Sequence, residues 1–258
     1  MKEAIGLTLT PKMFLIVCPL LFLTGFVDSI AGGGGLISLP AYVLAGLPIH
    51  MAIGTNKLSS ACGTTLTTAR FIRRGLVNWK LGVPGAAAAL LGSALGSRLS
   101  LVTDERVMRV ILIVVLPLAA LIVLNRRFFP QNDSEEAPAD RRTLTVCVLA
   151  ALTVGFYDGF YGPGTGTFLI IAFTVFAHLG VKPANAHAKV INLTTNLTSL
   201  VVFLHGGTVL IPLGLAGAAC NMLGSWIGSG LALEKGARIT RPIILVVLAL
   251  LFIKILTE

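Results

Sequence analysis

Four ionisable residues stand inside stretches that are otherwise apolar, and they form two pairs: Asp28 with Asp158, and Lys57 with Lys189. A charge in such surroundings is costly unless it has a partner or a task. Each aspartate stands four residues before the first glycine of a dense cluster, Gly32, Gly33, Gly34 and Gly35 in one case, Gly162, Gly164 and Gly166 with Pro163 and Thr165 in the other. Each lysine lies near the start of a segment and is followed at i+3 and i+7 by polar residues, Ser60 and Thr64 or Asn192 and Asn196, on one helical face. The chemistry this suits is anion binding. Helices broken at glycines offer unsatisfied N–H groups and a positive dipole end, the lysines add cationic charge, and Thr55, Asn56 and His187 add donors. The aspartates then serve as ion-pair partners of the lysines, as caps at the helix breaks, or as sites that take up a proton.

Plainer readings of the same residues stay open. Lysines a few residues into a segment can snorkel to an interface. Glycines can merely allow helices to approach, which suits Gly92, Gly96, Gly224 and Gly228 well. A phosphate-binding loop is excluded, since no glycine run leads into Gly-Lys-Ser/Thr.

The paired arrangement follows from duplication. The stretch from Leu81 to Leu118 matches the stretch that begins 132 residues later at roughly half its positions, including Gly82/Gly214, Gly85/Gly217, Gly92/Gly224, Ser93/Ser225, Gly96/Gly228, Ser97/Ser229, Arg106/Arg238 and Arg109/Arg241. Earlier, Gly25-Phe26-Val27-Asp28 matches Gly155-Phe156-Tyr157-Asp158, and Lys57 falls on Lys189. Duplication with paired helix breaks is the usual plan of a secondary transporter.

Composition sets the class. With 55% hydrophobic and 12% charged residues in 258 and a mean hydropathy of +0.89, the chain is too apolar for a soluble domain. Its partner is the lipid bilayer. Backbone groups in lipid must be satisfied internally, and long apolar runs without strand alternation give helices and not a barrel. The expected fold is an all-α polytopic membrane protein of two homologous halves, each with four to five transmembrane segments. A first repeat covers 1–125, a hydrophilic linker 126–142 and a second repeat 143–258. The net charge of +9 sits in short clusters between apolar segments, as juxtamembrane topology signals do, and implies no nucleic acid. Cys18, Cys62, Cys147 and Cys220 show neither CxxC nor Cys/His spacing, so no metal site or disulfide framework is indicated. No cofactor motif is present. Lys12 before an apolar run resembles a secretory signal, but the matching segment 143–160 cannot be one, so the first segment reads as a retained helix.

Five apolar segments are expected in each half, at 12–31, 36–47, 52–71, 79–99 and 106–125, then at 143–161, 166–180, 184–205, 209–233 and 238–256. The second is short in both and reads as a broken or re-entrant helix. Five crossings per half make the halves inverted; four make them parallel. Arg70-Phe71-Ile72-Arg73-Arg74-Gly75 is basic, whereas the matching Val202-Phe203-Leu204-His205-Gly206-Gly207 lacks Lys and Arg. That favours inversion, with the linker and the loop from Arg70 to Lys80 cytoplasmic and both termini outside; Lys2 and Lys12 fit it poorly.

The pattern Gly25-Phe26-Val27-Asp28, Ala31-Gly32-Gly33-Gly34-Gly35, Pro40 and Gly54-Thr55-Asn56-Lys57, with its diverged second-half echo, resembles the TauE/SafE family of sulfite exporter-like permeases. The resemblance covers essentially the whole chain. It implies an inner-membrane permease, without ATP hydrolysis, for small sulfur-containing or organic anions such as sulfite, sulfoacetate or related sulfonates; a proton or another coupling ion enters as a partner only through an aspartate that takes up a proton during transport. In the second half Pro163 and Thr165 replace glycines, and His187-Ala188 stands where Thr55-Asn56 does, which argues against a symmetric site. A passive anion channel shares these features. An intramembrane aspartyl protease would use Asp28 and Asp158 as a dyad, but each aspartate precedes its glycines and the Gly-x-Gly-Asp arrangement is missing.

Overall fold

The computed structural model of the chain describes residues 9–108, 110, 111, 114 and 140–235, and among them every regular element is a helix. In chain order these are α1 (Pro11–Ala31), α2 (Gly35–Leu44), α3 (Ile49–Arg73), α4 (Trp79–Val102), α5 (Arg141–Phe160), α6 (Thr165–Val175), α7 (Val181–His205) and α8 (Ile211–Lys235). The expected fifth segments, 106–125 and 238–256, lie almost wholly outside the described residues, as does the linker up to 139. Its last two residues, Arg141 and Arg142, already belong to α5, whose first turn is capped by Asp140 accepting from the Thr143 N–H at 2.8 Å. The hydrogen bonds from Thr143 hold the exposed Asp140 carboxyl below its ordinary value.

Among the described residues, four helices are long and apolar enough to cross a membrane: α1, α4, α5 and α8. Their outward faces carry exposed Leu15, Leu91, Leu95, Leu149, Leu223 and Trp226, the surface that lipid covers. The 25-residue α3 and α7 are about 38 Å long by helical rise, but they are rich in Thr, Ser and Asn and run through the middle of the bundle. Their hydroxyls turn back onto their own carbonyls, Thr65 to Ala61 at 2.7 Å and Thr198 to Thr194 at 2.8 Å, so polar residues survive there without water.

Glycines set the packing. Gly92 and Gly96 of α4 lie against the Leu152 and Phe156 carbonyls of α5, and Gly224 and Gly228 of α8 against the Phe22 and Phe26 carbonyls of α1. A Cβ at any of the four would meet backbone, so only glycine lets these helices touch. The register of contacts gives each helix a direction. Val17, Phe22 and Phe26 of α1 meet Gly217, Gly224 and Gly228 of α8, while Gly54 and Gly63 of α3 meet Thr208 and Asn221, so α1, α3 and α8 run the same way. In the same manner α4, α5 and α7 run together: Gly92 and Gly96 meet Leu152 and Phe156, and Asn78 and Ser93 meet His187 and Thr195. The two sets oppose each other, since His50 near the start of α3 bonds the Ser100 and Thr103 carbonyls at the end of α4, both at 3.0 Å, while a short turn joins the end of α3 to the start of α4.

The short α2 and α6 follow the two glycine clusters. Gly32 closes α1 in the left-handed region at φ +74° with its N–H on the Asp28 carbonyl, a conformation that glycine alone adopts without strain. Gly164 precedes α6 at φ +84°. Ten residues in α2 span about 15 Å, half a hydrocarbon core. The clusters meet backbone to backbone, with Gly32 against Gly166 and Gly35 against Pro163.

Candidate functional site

Where the clusters meet, a cavity of roughly 390 Å³, its open mouth included, is lined by residues of both halves. Most of that space is its mouth; the enclosed part is small, about enough for one ordered water. α3 contributes Asn56, Lys57, Ser60 and Thr64; α7 contributes Asn192 and Asn196. Asp28 and Thr24 come from α1, Asp158 from α5 and Asn221 from α8. Gly34, Gly35, Thr165 and Gly166 present the starts of α2 and α6 to it. Several of their first N–H groups are already engaged, those of Leu36 and Ile37 by the Gly33 and Gly34 carbonyls and that of Thr165 by the Gly162 carbonyl, so what both short helices bring to this space is chiefly the positive end of the dipole.

The ionisable groups pair across the halves. Lys57 Nζ donates to Asp158 Oδ2 at 2.8 Å with both side chains almost fully buried, at 2% and 3% exposure. Lys189 Nζ donates to Asp28 Oδ2 at 2.6 Å, with the lysine at 0% and the aspartate at 15%. The second oxygen of each carboxylate is also engaged. Asp158 Oδ1 accepts from the Thr165 hydroxyl at 2.7 Å, and Asp28 Oδ1 from the Gly34 N–H at 3.2 Å. Each carboxylate therefore bonds a residue at the start of the short helix that follows it and holds a lysine from the other part of the chain. As built, the four groups sum to zero charge, and lysine clamps on both carboxylates are unlike the shared-proton dyad of an aspartyl protease.

Not every expected site residue lines the cavity. Gly33 and Gly164 stand outside its lining. Lys189 reaches it through Asp28. Thr55 points the other way, its Oγ1 accepting from the Leu210 N–H at 2.9 Å. His187 is a strut between α7 and α4: Nδ1 bonds the Pro183 carbonyl at 2.8 Å and Nε2 meets the Asn78 N–H at 3.1 Å, which the tautomer protonated on Nδ1 satisfies. Two lining residues escaped the sequence reading, Thr24 and Asn221. Repeat symmetry could not find them, because their counterparts are Val154 and Ala89; the signal that could have is an amide within an apolar segment.

The family described as "Sulfite exporter TauE/SafE" matches residues 17–255. Among similar proteins, a probable membrane transporter protein of a Sinorhizobium species is 37% identical, covering 92% of this chain and 90% of its own. The probable membrane transporter protein YfcA of Escherichia coli is 35% identical over 96% of this chain and 91% of its own, and a probable membrane transporter protein of Haemophilus influenzae is 35% identical over 94% and 92%. No solved structure matches.

Proposed function

The chain belongs to the sulfite exporter TauE/SafE family of membrane transporters, and from that premise we propose that it carries small oxyanions, sulfite or organosulfonates such as sulfoacetate, across the inner membrane by secondary transport. One observation carries the reading: two lysine–aspartate pairs, each joining the halves, flank a polar cavity onto which two helix N-termini open. The N–H groups and lysines attract an anion, and the ion pairs give the site two arrangements to exchange. An anion that draws Lys189 toward itself loosens Asp28, the more exposed carboxylate, which a proton or another coupling cation can then neutralise. That exchange would tie substrate binding to a change in how the halves are held together, as a carrier requires.

In this reading the chain is an inverted repeat. α1, α3 and α4 each run opposite to their sequence counterparts α5, α7 and α8, which supports an odd number of crossings per half, with α2 and α6 as the broken members. The basic Arg70 to Lys80 loop then faces the cytoplasm. A passive anion channel would use the same donors, but two ion pairs that tie distant parts of the chain together beside the cavity favour a carrier.

Proteoliposome flux tests the proposal. Labelled sulfite and sulfoacetate should move through the purified protein, be accelerated by anion or proton gradients, and fail to move through Lys57→Met. Flux that follows only the substrate's own electrochemical gradient, with no counterflow and no proton dependence, would mean a channel, and no flux of any oxyanion would reject the anion site.

A further inference from the structure

The cavity is asymmetric in a way that the duplication does not require. Asn221 is 3% exposed, and its Oδ1 accepts from the Ser225 hydroxyl one turn along α8 at 3.2 Å. That bond turns the amide Nδ2 away from its own helix. The carbonyl end lies in a notch between α1 and α3 where a Cβ on Gly25 or Gly63 would collide with it. Opposite stands Thr24, which is 1% exposed and lines the cavity. Most serines and threonines within these helices bond a carbonyl three or four residues back, as Ser29 does to Gly25 at 2.8 Å; Thr24 Oγ1 has no partner among the described residues. A hydroxyl desolvated without a hydrogen bond is unfavourable unless something else completes it.

The other half builds the same wall without an amide, its hydroxyls turned onto protein partners. At the counterparts of Asn221, Thr24 and Gly63 stand Ala89, Val154 and Thr195. There Gly155 packs against Ala89 and the Thr195 methyl, and the Thr195 hydroxyl bonds its own helix at the Asn192 carbonyl, at 2.9 Å. The exchange conserves volume: a large residue on α8 with glycine on α3 in one half, a small residue on α4 with threonine on α7 in the other. Room was made for the Asn221 amide on one side only.

We propose that Asn221, set in the Gly25–Gly63 notch beside Thr24, is the specificity-determining donor for the transported oxyanion, which lies against the α1–α8 wall and not on the line relating the two halves. The inference rests on the oxyanion reading above. Two further amides complete the cradle. Asn56 Oδ1 accepts from Ser60 Oγ at 3.2 Å and Asn192 Oδ1 from Asn196 Nδ2 at 3.0 Å, so each also offers its Nδ2 to the cavity. Three amides and a hydroxyl match a ligand with three or more acceptor oxygens, as a sulfite or sulfonate group has, better than a halide or a flat carboxylate. Ser225 acts through Asn221 as a positioning residue.

Binding of sodium sulfite and methanesulfonate to the purified full chain, by calorimetry in detergent, tests this. The double variant Gly63→Thr/Asn221→Ala converts the wall to the packing already present in the other half, so it should fold. We expect it to bind both probes roughly tenfold or more weakly, with Thr24→Val, which keeps the side-chain shape, also weakened. Ser225→Ala should lose part of the affinity and Ser225→Thr regain it, a rescue that a merely structural hydroxyl would not show. If the double variant does not fold, Asn221→Ala alone gives the reading. Binding within about twofold of the unmodified protein in Asn221→Ala or the double variant, with Lys57→Met defective, would overturn the inference and leave the oxyanion reading standing. No binding of either probe to the unmodified protein would overturn both.

Discussion

Replacing Lys57 by methionine keeps an unbranched side chain of similar length and removes only the charge. Its partner Asp158 is then left 3% exposed with one hydrogen bond, from Thr165, where it had two. Stranding one member of a buried pair costs about 3–5 kcal/mol, most of it the desolvation of the abandoned charge. The double variant Lys57→Met/Asp158→Asn strands no charge, and it should recover the larger part of that loss. Lys189→Met gives an internal comparison. Asp28 is 15% exposed, against 3% for Asp158, and keeps the Gly34 N–H, so solvent can take the place of the lysine more readily and the cost should be smaller. Thermal unfolding in one detergent, followed by tryptophan fluorescence, should therefore rank Lys57→Met lowest, with Lys189→Met and the double variant between it and the unmodified protein. Equal unfolding temperatures for Lys57→Met and the double variant, or Lys189→Met falling below Lys57→Met, would refute the argument that burial of the Lys57–Asp158 pair sets the penalty.

The two glycine positions next to each other in the first cluster should behave differently. Gly32→Ala combines φ +74° with a collision against the Gly166 backbone and should yield little folded protein, whereas Gly33→Ala, whose Cβ would find its nearest neighbour at 3.6 Å, should purify normally by size-exclusion chromatography. Gly96→Val should part α4 from α5 at the Phe156 carbonyl and lower the unfolding temperature more than a valine at the outward-facing Leu95. Thiols placed at Arg74 and Gly207 should react with an impermeant maleimide from opposite sides of the membrane, Arg74 from the cytoplasm; labelling of both from one side would mean parallel halves.

Composition and local pattern determined the class of this protein. An apolar chain without strand alternation has to satisfy its backbone internally, so it is helical; glycine clusters end helices because few other residues accept a positive φ; and the Asp, Gly and Lys pattern resembles the family whose match spans residues 17–255. These are properties of a residue and its near neighbours. The partners could not be read in that way. Lys57 meets Asp158 across 101 residues and Lys189 meets Asp28 across 161, and either assignment of lysines to aspartates satisfies the same sequence. The fold chose the crossed one, because α1 packs beside α8 and α4 beside α5, which brings each lysine under the other half's helix break. Thr55 and His187 fail to line the cavity because a helix presents each position to only one direction, and theirs point to the 206–210 turn and to the start of α4. Asn221 enters the cavity for a reason that no periodicity encodes: glycines on two other helices, at 25 and 63, leave a space of its shape.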